Sequence, residues 1–161
     1  MEDLLFRRPE PRDRALELAA KYSALSQNIE NVLRVMTYNS YKLQQHQLSC
    51  TNREKVAVVI SCIQDLKSFS EKCMGHSRDL LCGIPLPLDE WNSLKCEVKK
   101  QMIDVSLNDK DPLINLLHGA EQLQILGNEA IPWFRTPALI DLFVIADVEE
   151  IMRIVGELRS S

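Results

Sequence analysis

Five cysteines (Cys50, Cys62, Cys73, Cys82 and Cys96) and three histidines make up the chain's stock of soft metal ligands and nucleophiles. A structural zinc site needs four such ligands, generally as two close pairs. His46 and Cys50 are four residues apart, Cys73 and His76 three, with Cys82 further on, and no Cys-x-x-Cys occurs. Those pairs are loose, whereas cysteine in a helix core acts as a small hydrophobe. Nothing next to the thiols marks an activated nucleophile. The paired carboxylates Asp109/Asp111 and Glu149/Glu150 read as acids at a helix N-terminus and as an exposed face, because general acid–base work needs a pocket that shifts their pKa. Only five glycines are present, none closer than eight residues apart, so no phosphate-cradling loop exists. Gly-x-Ser-x-Gly, His-Glu-x-x-His and kinase signatures are missing too. The expectation is a chain without catalytic residues, metal or cofactor, that is, no enzyme.

Residues suited to protein contact are better represented. Leu113-Ile-Asn-Leu-Leu117 matches the Leu-x-x-Leu-Leu docking motif, but it lies inside a helix pattern whose wide apolar stripe produces such a match by itself, so it is read as core. Trp133 and Phe134 sit in an apolar turn beside Pro132, where an exposed aromatic pair would anchor an interface. Leu86 and Leu88 belong to Gly83–Leu88, an extended apolar strip of the kind that docks in a partner groove.

The elements that must position these residues are helical. From Arg12 onward apolar residues recur three and four apart: Ala15, Tyr22, Ile29, Met36 and Leu43 share one heptad position, and Leu18, Leu25, Val32, Asn39 and His46 its partner. That is about 35 residues, or roughly 50 Å of helix. The flanking positions (Ala19, Ser26, Leu33, Ser40; Lys21, Asn28, Val35, Lys42) lack the paired charges of a free-standing coiled coil, which suits a helix packed against two neighbours. Asn39 either fixes register within the seam or marks where the core ends. Thr51-Asn-Arg-Glu54 reads as a capping box opening a second helix, with Val56, Val59, Ile63, Leu66 and Cys73 on one stripe and Val58, Cys62 and Phe69 beside it. Gly75 is a candidate kink and Gly83 a firmer stop; Pro85 and Pro87 forbid helix between them. Asp89 caps a third helix bearing Trp91, Leu94, Val98 and Met102. A fourth runs from Pro112 to about Leu126, closing at Gly127, and a fifth from Pro137 to Leu158. Two stretches compete with this: Lys55–Cys62 is rich in β-branched residues, and Ala138–Asp147 resembles a buried strand, but neither has enough pairing partners.

The fold expected is all-α: a helical bundle with a long antiparallel, coiled-coil-like hairpin and three shorter helices. Residues 1–11 form a flexible lead, 12–82 the hairpin (helices over 12–48 and 52–74, with room to extend to 82), 83–88 a Pro-rich connector, and 89–161 a C-terminal helical region packing on the hairpin. Apolar residues make up 45% and charged residues 26%, the balance of a globular protein. Net charge is −4, split as about +2 over residues 1–80 and −6 over 81–161, which points away from nucleic acid. No apolar run is long enough to span a bilayer. An odd cysteine count, without a secretory leader or glycosylation sequon, suits a reducing compartment, cytoplasm or nucleus.

The function expected is a non-enzymatic helical adaptor or subunit of a multiprotein complex, of the kind used in chromosome segregation, centrosome and microtubule organisation, or vesicle tethering; that list is an analogy of fold type. Its partners would be other proteins with helical surfaces, in hetero- rather than homo-oligomers, with no small-molecule substrate. Leu25, Ile29, Val32, Leu33 and Met36 on the long helix, with Leu86, Leu88, Trp133 and Phe134, are the candidate contact residues. The alternative is a self-contained helical regulator that holds a partner helix in a groove; an enzyme without a familiar motif stands third.

Overall fold

The computed structural model describes residues 11–99, 110–130 and 142–160. Within them lie five helices and no strand: α1 (Pro11–Gln44), α2 (Cys50–Leu81), α3 (Leu88–Lys99), α4 (Pro112–Ala130) and α5 (Leu142–Ser160). The all-α bundle with a long N-terminal hairpin expected from the heptad pattern is the fold observed. Lys55–Cys62 lies within α2 and Leu142–Asp147 within α5, so both are helical; residues 138–141 fall outside the described residues.

Local chemistry sets the helix ends, with two departures from expectation. The cap of α2 is Ser49, whose hydroxyl accepts from the Asn52 N–H at 3.2 Å. Thr51 is therefore inside the helix, and the Thr51–Glu54 capping box is not the one used. Ser49 supplies the same kind of acceptor two residues earlier, which lets Cys50 and Thr51 join the helix. Helix α4 also runs past Gly127 to Ala130. Among the described glycines only Gly83 has positive φ, at 81°, so Gly83 ends α2 while Gly75 and Gly127 keep helical backbone. Asp111 accepts from the Leu113 N–H at 3.0 Å, and Pro112 occupies the first helical position, as expected.

Side-chain pairs fix the directions of the helices. Ser70 donates to the Ser26 carbonyl at 2.9 Å and Ser77 to the Ala19 carbonyl at 2.6 Å, so α2 runs antiparallel to α1. Gly119 faces Met36 and Asn115 faces Asn39, so α4 is antiparallel to α1 as well. Lys55 pairs with Glu157 at 3.1 Å and Cys62 lies by Asp147, which sets α5 antiparallel to α2. The helices α1, α2, α5 and α4 thus take the four corners of a bundle in that cyclic order, every neighbour antiparallel. Helix α3 packs on α1, where Arg12 grips Glu90 through two guanidinium nitrogens at 3.1 and 3.2 Å.

The core fills the centre of this square. Leu25, Ile29, Val32, Leu33 and Met36 of α1 meet Val59, Ile63 and Leu66 of α2, Leu116, Ala120 and Leu123 of α4, and Ile151, Ile154 and Val155 of α5. Each such side chain taken out of water contributes about 1.5–3 kcal/mol. Val58, expected beside the α2 stripe, remains 43% exposed. Asn39 is 2% exposed and settles its two readings in favour of the seam: its Oδ1 accepts from Asn115 Nδ2 at 3.0 Å while its own Nδ2 donates to the Val35 carbonyl at 2.8 Å. A buried amide pair satisfied only at this offset of α1 against α4 makes a sliding register costly.

Candidate protein-binding face

The outer side of the α1–α2 hairpin, away from α4 and α5, carries the most developed surface among the described residues. Glu30, Leu33, Arg34 and Thr37 of α1 and Ile63, Gln64 and Lys67 of α2 line a groove of about 450 Å³, within the range of roughly 300–1,000 Å³ common for binding clefts. Its floor is apolar because Leu33 and Ile63 show one edge to it while their bulk enters the core. Its rims are charged because the helical period places Glu30, Arg34 and Thr37 on the outward side of α1.

Helical spacing extends the face toward the hairpin turn. Tyr41 follows Thr37 by four residues and Tyr38 follows Arg34 by four; they are 59% and 61% exposed. Lys42 Nζ lies 5.0 Å from the centre of the Tyr38 ring, so the ring is held between an ammonium and the helix surface. Among the described residues Arg34 and Lys67 make no ion pair, leaving both cations to solvent. Tyrosine and arginine are the side chains that most often dominate protein interfaces, since each combines a large contact area with a polar end.

The residues chosen from sequence fall elsewhere. Leu25, Ile29, Val32, Leu33 and Met36 are at most 4% exposed and are spent inside the chain's own core. The heptad identified an apolar seam correctly but could not say that α4 and α5 would cover it. Leu88 is 70% exposed at the start of α3, and Leu86 is half-buried in the connector; neither adjoins the groove. Trp133 and Phe134 lie outside the described residues. In the Leu113–Leu117 motif, Leu116 is fully buried and Leu113 and Leu117 pack against the core, so the motif presents no docking edge. Tyr38 and Tyr41 were passed over although they carried a signal: large aromatics at two outward heptad positions of a helix whose seam was already assigned.

The chemistry-bearing residues are scattered or disarmed. His46 lies past the end of α1 and Cys50 opens α2, so the two share no helix face. Burial pushes the Cys73 thiol up to about 12, and burial together with the nearby Asp147 carboxylate does the same to Cys62; a thiol held protonated is a poor nucleophile and metal ligand. His76 stacks edge-on against Tyr22 with ring centres 4.7 Å apart. No cluster of three or more His, Cys, Asp or Glu suited to a metal occurs among the described residues. Asp111 serves as a helix cap, and Glu150 is taken up by Arg153. No described helix is long and apolar enough to cross a membrane.

Comparison with protein-family models, with curated proteins and with solved structures gave no match to this chain.

Proposed function

We propose that the chain is a non-catalytic protein-binding module that engages partner proteins through the outer face of its α1–α2 hairpin. The observation that carries this is the pairing of an apolar-floored groove with two majority-exposed tyrosines on the same side of α1. Exposed aromatics next to a cleft are surface a monomer has no internal use for, and they are the usual anchors of an interface. Both forms of the expected function, adaptor subunit and self-contained regulator, share this claim. The covered seam favours the second: a chain that buries its own heptad has a complete core and offers a groove for a partner helix to enter. Contacts with helical partners, hetero-oligomeric assembly and a place in the cytoplasm or nucleus belong to this reading.

The test is affinity purification with mass spectrometry on wild type and on Tyr38→Ser/Tyr41→Ser. Both tyrosines are exposed, so the variant keeps its circular dichroism spectrum and melting temperature. It should lose specific partners that a control change on the opposite side, Ile125→Ser, retains. A folded double variant that retains every partner overturns the assignment of this face.

A further inference from the structure

The charges around the groove say more about what enters it. On α1 the outward stripe toward the turn reads Glu30, Arg34, Thr37, Tyr41; on α2 the facing stripe reads Arg53, Ala57, Ile60, Gln64, Lys67. The two stripes hold three cations, Arg34, Arg53 and Lys67, against the single anion Glu30, in a chain whose net charge is −4. Among the described residues none of the three cations is neutralised by an ion pair. Elsewhere the chain does pair its exposed cations, as in Arg12–Glu90, Lys21–Glu17, Lys55–Glu157 and Arg153 with Glu150 and Glu157. The groove is therefore a locally basic, apolar-floored strip on an acidic molecule.

We infer that the occupant of this groove is an acidic amphipathic helix of a partner protein, its apolar ridge on Leu33 and Ile63 and its carboxylates over Arg34, Arg53 and Lys67. This rests on the reading of the hairpin face as the binding surface and names the chemistry of what binds. A helix suits because the trough between two antiparallel helices accepts the ridge of a third along its length. Glutamate and aspartate suit because guanidinium groups take carboxylates in paired hydrogen bonds and lysine offers a point charge beside them. Complementary charge of this kind sets orientation and speeds encounter, and it rejects basic helices by repulsion.

The probe is a 20-residue helical peptide with leucine at i, i+3, i+4 and i+7 and glutamate on the flanks, set against a twin with lysine in place of every glutamate. Binding to the full chain is read by fluorescence anisotropy at physiological and at high salt. The acidic peptide should bind at least about tenfold more tightly than its twin, weaken with salt, and lose that preference in Arg34→Glu/Lys67→Glu. Both substituted side chains are exposed, and the far-ultraviolet spectrum checks that the variant is folded. Equal binding of the two peptides, or no binding of either, overturns the inference. Equal binding that Tyr38→Ser/Tyr41→Ser abolishes does so while leaving the hairpin face standing as the interface. Duplex DNA or phosphatidylserine vesicles that displace the acidic peptide through the same Arg34 and Lys67 also overturn it, because the strip would then be a general polyanion patch.

Discussion

Replacing Asn115 with alanine removes the Nδ2 donor that Asn39 Oδ1 accepts, in a place where Asn39 and Asn115 are 2% and 3% exposed. Water cannot substitute without the helices parting. An acceptor stranded in this way costs about 1–3 kcal/mol, and at this chain length about 2 kcal/mol lowers the melting temperature by roughly 4–8 °C. Asn39→Ala forfeits the same bond and also the donor to the Val35 carbonyl, so it should cost at least as much. In the double alanine variant the shared bond is lost once, so the two losses sum to more than the measured one, by about 0.5–3 kcal/mol. Urea unfolding of the wild type, both single variants and the double variant, followed by circular dichroism, gives the coupling directly. A companion pair, Asn39→Leu/Asn115→Leu, removes donor and acceptor together with similar volume and should be close to neutral or stabilising. Strict additivity of the alanine costs would refute the claim that the two amides form one buried unit.

Three further outcomes follow from the packing and the titration of the thiols. A Cβ on Gly119 would sit 2.5 Å from Met36 Cγ and 2.7 Å from its Sδ, so Gly119→Ala should destabilise by about 1–2 kcal/mol despite alanine's better helix propensity; combined with Met36→Ala it should cost less than the two separate losses. Ser49→Ala should cost about 1 kcal/mol while Thr51→Ala costs far less, both read by thermal melting; the reverse order would restore Thr51 as the cap. Cys62 and Cys73 are raised from an ordinary 9.0 to about 12 in the fold, so the unfolded chain releases those protons first: their contribution is whole below pH 9 and fades as pH climbs from 9 toward 12. Stability measured over that range should fall, and more gently in Cys62→Ala/Cys73→Ala. Native labelling at pH 8 should modify exposed Cys50 and Cys82 before Cys62 and Cys73.

The heptad of Ala15–Leu43 and the stripe of Val56, Val59, Ile63 and Leu66 made the hairpin legible, because a 3.6-residue period states which side of a helix is apolar. The same period is silent on what covers that side. Ile29 and Val32 therefore looked like contact residues, and only the placement of α4 and α5 shows them spent. Asn39 illustrates the same limit: its position in the seam is written in the spacing, but Asn115, 76 residues away, becomes its partner through tertiary packing. The groove was hidden for a related reason. Glu30 and Lys67 belong to different helices, and a cleft between them exists only once the offset of α1 against α2 is set, by contacts such as Ser26 with Ser70. Ser49 was missed because two acceptors stood two residues apart, and backbone geometry decided between them.

The connectivity of the four corners has a consequence for how the molecule comes into being. The halves of the hairpin meet across the five residues 45–49, so their contacts close short loops and form early. The two helices that roof the seam arrive last, because α4 starts at Pro112 and α5 ends at Ser160. On the ribosome the hairpin is therefore complete while roughly half the chain is still to be made. Throughout that interval Leu25, Ile29, Val32 and Met36 form an uncovered apolar ledge. The nascent protein must be kept from its neighbours there, and the residues that later make it stable are the ones that first make it adhesive.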